Sequence, residues 1–237
     1  MTKFKMYIAC FLALTVLFTV AACGEGKMEK NEVSFEGKTI TILGDSFTEI
    51  GTYITPLLEK TRFGSVNNYG KAGACICGTA LDSFVNRYNS ILEDCDYFLI
   101  QGGTNDYSTS KPMGEHDSTD NATFYGALNT ILSRIQGDYP SAVIAITTPS
   151  QRNWNGDSPS ETQDSVGINK QGLTLADYCS AIRYAADKYG ILVVDLYNDC
   201  GITKENADSF TTDGLHPNRA GSELIAECIY QAFKNKG

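Results

Sequence analysis

Short runs of apolar, largely β-branched residues recur along the chain and give way to glycine or polar segments. They are Thr39-Ile40-Thr41-Ile42-Leu43, Tyr97-Phe98-Leu99-Ile100-Gln101, Ala142-Val143-Ile144-Ala145-Ile146-Thr147 and Ile191-Leu192-Val193-Val194-Asp195. Near-continuous runs, in place of strict polar–apolar alternation, suit strands covered on both faces of a parallel sheet. A weaker strand is expected near residues 65–68. Between the runs, Phe124, Leu128, Ile131, Leu132 and Ile135 keep helical spacing up to Gly137 and Pro140, and Leu175, Tyr178, Cys179, Ile182, Ala185 and Ala186 do so up to Tyr189-Gly190. A last helix is expected after Pro217, burying Ala220, Leu224, Ile225, Cys228 and Ile229. Strands alternating with helices over this length predict an α/β class fold, a three-layer α/β/α sandwich on a mainly parallel five-stranded sheet. Ligands in such folds bind at the carboxyl ends of the strands.

The N-terminal segment stands outside this pattern. Lys3 and Lys5 precede an uncharged, largely apolar run over residues 7–22, and Cys23 follows. A basic start, an apolar stretch and small residues before a cleavage point mark a secretory signal peptide, and the run falls short of the ~20 residues that span a bilayer. Residues 1–22 are expected to be that signal peptide, the other reading being an uncleaved N-terminal anchor. Both put the domain outside the cytoplasm. Val20-Ala21-Ala22-Cys23 resembles a bacterial lipobox, which implies lipidation of Cys23 and membrane contact through that anchor alone, at the cell surface or in the periplasm. Residues 23–37 are polar and charged and are expected to be the lipobox cysteine and a tether. Residues 38–237 then form one domain, with length for one full core and not for two.

Loss of Lys3 and Lys5 leaves 17 basic against 28 acidic residues, a net −11. That sign argues against nucleic acid or anionic headgroups as the main partner. Beyond Cys10 and Cys23 lie Cys75, Cys77, Cys95, Cys179, Cys200 and Cys228. Export permits disulfides among these six, with a pairing the sequence does not define, and buried thiols are the alternative. Cys75-x-Cys77 lacks the second close pair or nearby histidine that a zinc site needs.

Three polar clusters fall where chemistry belongs. The first strand ends in Gly44-Asp45-Ser46-Phe47-Thr48, the 97–101 strand in Gly102-Gly103-Thr104-Asn105-Asp106, and Asp213-Gly214-Leu215-His216-Pro217 precedes the last helix. A serine hydroxyl needs a neighbouring base before it attacks carbon, and imidazole serves near neutral pH. Asp213 is three residues before His216, so one turn brings its carboxylate to the imidazole, where it sets the tautomer and stabilises the imidazolium. Ser46 has a second reading as the cap of the following helix, and Asn105 and Asp106 as turn residues. Asp45 is expected to support the turn, and His116 to lie on an exposed polar loop.

GDS, GTND and DGLHP, in this order, resemble blocks I, III and V of the SGNH (GDSL-like) hydrolases, and Asn68-Tyr69-Gly70-Lys71-Ala72-Gly73 fits block II, with Gly73 a better match than Gly70. The blocks run from residue 44 to 217, nearly the whole domain. The resemblance implies a catalytic triad of Ser46, Asp213 and His216, and an oxyanion hole from the N–H groups of Ser46 and Gly73 and the amide of Asn105. It implies a flavodoxin-like sheet. The G-x-S-x-G elbow of α/β-hydrolases is absent, since Phe47-Thr48 follows Ser46, and Gly37-Lys38-Thr39 lacks the first glycine of a phosphate loop, Glu32 standing there. No metal or organic cofactor is needed by this mechanism.

Two long polar stretches, residues 107–121 and 150–170, follow strand ends and are placed to shape the substrate site. Trp154 in the second stacks on a sugar ring, covers an acyl group, or anchors the loop to the domain. Neither stretch is rich in large aliphatic residues, which favours a short acyl group, such as acetyl, on a carbohydrate or other polar alcohol. The expectation is an extracytoplasmic serine esterase acting on a small-molecule or glycan ester. The alternatives are a lipase or lysophospholipase with a longer acyl preference, an acyltransferase, and a surface glycan-binding lipoprotein without turnover.

Overall fold

A computed structural model describes residues 33–153 and 167–236. Strands β1 (Thr39–Gly44), β2 (Ser65–Gly70), β3 (Tyr97–Gln101), β4 (Val143–Thr147) and β5 (Leu192–Val194) form one sheet. Its order is β2-β1-β3-β4-β5, and every neighbouring pair is parallel. The helices are α1 (Ser46–Ile50), α2 (Ile54–Thr61), α3 (Phe84–Arg87), α4 (Thr104–Ser108), α5 (Phe124–Asp138), α6 (Leu175–Lys188), α7 (Leu196–Asp199), α8 (Ala207–Phe210) and α9 (Arg219–Lys236).

The central strand explains the layers. Every residue of β3 is buried. Phe98 and Ile100 join Leu128, Ile131, Leu132, Ile182 and Ala185 of α5 and α6, whereas Tyr97 and Leu99 join Leu57 of α2 and Ile225, Ile229 and Phe233 of α9. Successive strand side chains point to opposite faces, so an apolar run without alternation can only be satisfied by helices on both. The expected three-layer α/β/α sandwich on five parallel strands is the fold that forms.

Both edge strands form where expected, with bounds that differ from the sequence reading. No residue of β2 is buried, and its polar sequence carries little pattern, which is why it reads weakly and yet extends to Gly70. Strand β5 is shorter than its apolar run. Asp195 lies just past its end, its carboxylate accepting from Arg183 Nε and Nη2, both at 2.8 Å, and from Thr148 Oγ1 at 2.9 Å. The segment expected as a tether, 23–37, also contributes to the core. Phe35 is buried, with its ring centroid 5.5 Å from those of both Phe63 and Tyr97. A single aromatic in a polar stretch has no periodicity to announce it. Cys75, Cys77, Cys95, Cys179, Cys200 and Cys228 are all free thiols.

Candidate active site

Strands β1, β2 and β3 end level with one another, Gly44 lying opposite Gly70 on one side and Gln101 on the other. Three loops therefore leave the same sheet edge side by side. The first turns at once into α1. Asp45 caps that helix, its Oδ1 accepting from the Phe47 N–H at 3.0 Å. The cap is thus Asp45 and not Ser46, which leaves the Ser46 hydroxyl free for other work. Asp45 is fully buried, and burial pushes its carboxyl up to about 6, with the Phe47 N–H offsetting part of the rise.

The Ser46 hydroxyl meets the C-terminal part of the chain. Its Oγ lies 3.0 Å from His216 Nε2, and His216 Nδ1 lies 2.6 Å from Asp213 Oδ2. An ionised carboxylate only accepts, so Nδ1 carries the proton and Nε2 offers its lone pair to Ser46 Oγ–H. Asp213 is itself held by the turn it belongs to: its Oδ1 accepts from the N–H groups of Leu215 at 3.0 Å and His216 at 2.7 Å. Burial pushes the Asp213 carboxyl up, but the His216 ring and these N–H groups outweigh it and hold the acid below its ordinary value. The turn is clamped by a bridge between Thr211 and Pro217 and by the Thr212 N–H on the His216 carbonyl at 2.8 Å. The Phe47 ring packs on the imidazole with centroids 5.8 Å apart.

The loop after β2 presents donors. Gly70 lets the chain pass hard against α1, since a Cβ there would sit 2.0 Å from the Glu49 nitrogen. Over residues 70–77, all N–H groups except those of Gly73 and Cys75 have partners among the described residues. Gly70 donates to Asn68 Oδ1 at 2.8 Å, Lys71 to the Gly44 carbonyl at 3.0 Å, Ala72 to Glu49 Oε2 at 3.1 Å and Ala74 to the Lys71 carbonyl at 3.1 Å. Ile76 and Cys77 donate to the two oxygens of Asp106 at 2.9 and 3.0 Å. Gly73 has a φ of +74°, a left-handed conformation that glycine adopts without strain, and the space beside its Cα is open. Asn105 stands at the start of α4 and donates one amide N–H to the Ala74 carbonyl at 3.0 Å, which fixes the side chain and leaves its second N–H unengaged among the described residues. The Ser46 N–H is likewise without a described partner.

These groups can carry out acyl transfer. A hydroxyl bonded to a correctly tautomerised imidazole is an activated nucleophile, and unengaged N–H donors on loops leaving the same sheet edge are of the kind a developing oxyanion requires. Glu49 and Asp106 escaped the reading of the sequence as parts of this site. Asp106 is buried, and its two backbone contacts make it the anchor of the 73–77 loop and not an ordinary turn residue. Their only signal is nearness in sequence, Glu49 three residues after Ser46 and Asp106 directly after Asn105. His116 takes no part. It is exposed and stacks on Tyr184, with centroids 4.5 Å apart, at the α5–α6 surface. Cys23 and Trp154 lie outside the described residues, but Asn153, next to Trp154, donates to the Gly214 carbonyl of the His216 turn at 3.1 Å.

Fold and site together define a hydrolase built on an open parallel sheet, with a serine, a histidine and an aspartate joined by hydrogen bonds at its edge. Residues 42–224 match the GDSL-like lipase/acylhydrolase family, and the chain belongs to that family. It is a carboxylic ester hydrolase. Among solved structures it is similar to a protein from Lactobacillus plantarum, with 31% identity and a TM-score of 0.76, covering 86% of this chain and 98% of the other. A possible lipase from Chitinophaga pinensis shares the fold at 24% identity and a TM-score of 0.71, over 84% and 99% of the two chains. So does an acetylxylan esterase from Geobacillus stearothermophilus, at 16% identity and a TM-score of 0.59, over 85% and 95%. A comparison with curated proteins finds no match.

Proposed function

We propose that the protein removes a short acyl group, acetyl above all, from a carbohydrate or other polar alcohol through an acyl-Ser46 intermediate. The observation that carries this is the continuous hydrogen-bond chain from Ser46 Oγ through His216 to Asp213, at 3.0 and 2.6 Å. As Ser46 Oγ attacks the ester carbon, His216 Nε2 takes its proton. The carbonyl oxygen becomes an oxyanion facing the N–H groups of Ser46 and Gly73 and the free amide N–H of Asn105. Collapse breaks the ester C–O bond, and His216 returns the proton to the departing alcohol. Water then enters, gives a proton to His216 as its oxygen bonds the acyl carbon, and the carboxylic acid leaves as Ser46 Oγ is reprotonated. Asp213 keeps the imidazole in the right tautomer and stabilises its charged form in both halves.

Support for a short acyl group is compositional, since the long polar stretches 107–121 and 150–170, which follow strand ends in the sequence, carry few large aliphatic residues. An acetylxylan esterase among the structures of the same fold agrees with it. A longer acyl chain is the second reading. Hydrolysis of p-nitrophenyl acetate, butyrate and octanoate, with Ser46→Ala alongside, separates the readings. Fastest turnover on acetate, abolished in the variant, supports the short-acyl esterase. Preference for octanoate moves the substrate to lipids, and activity equal in parent and Ser46→Ala removes Ser46 from the mechanism.

The same proposal places the enzyme outside the cytoplasm, tethered through lipid on Cys23. Its support is the basic start, the apolar 7–22 run and the small residues before Cys23. Metabolic labelling with a fatty acid, retained in the parent and lost in Cys23→Ser, tests it.

A further inference from the structure

Arg87 ends α3 and belongs to none of the blocks that carry the reaction, yet its guanidinium reaches the strand ends beneath them. Nη1 donates to the Gly44 carbonyl at 3.2 Å, and Nη2 donates to the Tyr69 carbonyl. Gly44 is the last residue of β1, two before Ser46. Tyr69 is the penultimate residue of β2, four before Gly73. The Gly44 carbonyl also accepts the Lys71 N–H, so one oxygen joins the guanidinium to the start of the donor loop. The side chain is partly buried, and burial draws its pKa down while the carboxylates of Asp82 and Glu49 work against that fall. A planar fork with two N–H groups on fixed vectors spans two strand ends in a way a flexible ammonium cannot.

We propose that Arg87 is a positioning residue for ester hydrolysis, a rigid bridge between the ends of β1 and β2 that sets the separation of the Ser46 and Gly73 N–H donors. Strand β2 is an edge strand with no fully buried residue, paired on one side only, to β1, so the bridge to the Gly44 and Tyr69 carbonyls adds a second tie between the two strand ends. The Ser46 donor follows the central part of the sheet, whereas the Gly73 donor follows the edge strand, through a loop that Glu49 and Asp106 hold farther along. Arg87 ties the second to the first. Misplacement of a reacting or stabilising group by about 1 Å costs on the order of 10²-fold in rate. The inference rests on the esterase reading above.

The test compares the parent with Arg87→Met, which keeps the aliphatic stem, Arg87→Lys and Arg87→Ala. Kinetics on the preferred p-nitrophenyl ester, melting temperature, and the rate of Ser46 labelling by a fluorophosphonate are measured for each. Expected for Arg87→Met is a kcat roughly 10- to 100-fold lower with KM changed less than about threefold, and labelling slowed in parallel. The pH profile keeps its shape, because the triad is untouched. Arg87→Lys recovers only part of the rate, and added ethylguanidinium restores Arg87→Ala. A kcat at the parent's level in Arg87→Met overturns the inference. So does a loss explained entirely by a smaller folded fraction, with no response to ethylguanidinium. A parent that neither hydrolyses any ester nor labels at Ser46 overturns the esterase reading itself, and this inference with it.

Discussion

At the scale of single residues, the site separates groups that react from groups that hold. Asn105 spends one amide N–H on the Ala74 carbonyl, and in the proposed mechanism its other N–H meets the oxyanion. Asn105→Ala is expected to lower kcat ~10²–10³-fold, as loss of one oxyanion donor does, at a cost of about 1 kcal/mol in stability for the lost bond. Steady-state kinetics beside a denaturant melt measure the two separately. Asp45 makes a pH prediction with a definite sign. Its carboxyl titrates at about 6 when folded against an ordinary value of 3.8, so the native state holds a proton that the unfolded chain has released. Stability assigned to this group is therefore complete at low pH and is lost as pH rises from about 4 through about 6. Relative to Asp45→Asn, which does not ionise, the parent should lose up to about 3 kcal/mol between pH 4 and pH 7. Unfolding curves of both proteins across that range would show parallel behaviour if Asp45 were not the source.

At the scale of elements, the loop from Gly70 to Cys77 is held at each end by side chains from other elements. Asp106 of α4 takes the N–H groups of Ile76 and Cys77, and Glu49 of α1 takes that of Ala72. Asp106→Ala orphans two donors in a buried setting, at roughly 1–3 kcal/mol each. A drop of that size in unfolding free energy, with kcat falling further than KM rises, is the expected result. Unchanged kcat in the folded variant would mean that the loop keeps its shape without Asp106. The long buried elements were legible beforehand. Strand β3 and helices α5 and α6 bury an apolar face over many residues, so the periodicity survives in the sequence. Helix α9 forms where expected and buries Ile225 and Ile229, but Ala220 is exposed, Leu224 and Cys228 are half-buried, and Ala226 and Phe233 fill the face in their place. Strand β2 and the short helices α7 and α8 were not legible in the same way. An edge strand with no buried residue has no face to pattern, and helices of four residues complete too few turns to show a period.

At the scale of the whole molecule, the acidic balance bears on which esters arrive. The chain carries 28 acidic against 19 basic residues, so an anionic substrate approaches against the mean field of the protein. The value of kcat/KM for an ester bearing a carboxylate should rise roughly two- to fivefold as salt goes from about 0.02 to about 0.3 M, while a neutral ester of equal size should respond little. A matching response from both would show that the site's own field differs from that of the whole.

The sequence by itself determined the alternation of strands and helices and the Asp213–His216 unit, because these rest on periods and spacings within a few residues. It also marked Ser46, Gly73 and Asn105, through blocks whose order along the chain resembles a known family. Tertiary structure alone decided which N–H groups stay unengaged and what holds them there. Those answers depend on contacts between distant residues: Ser46 meets His216 across 170 positions, Gly44 meets Arg87 across 43, and Ile76 meets Asp106 across 30. A local pattern records which face of an element is apolar. It does not record which distant side chain reaches a given carbonyl, since that follows from the strand order β2-β1-β3 and the level ends it produces.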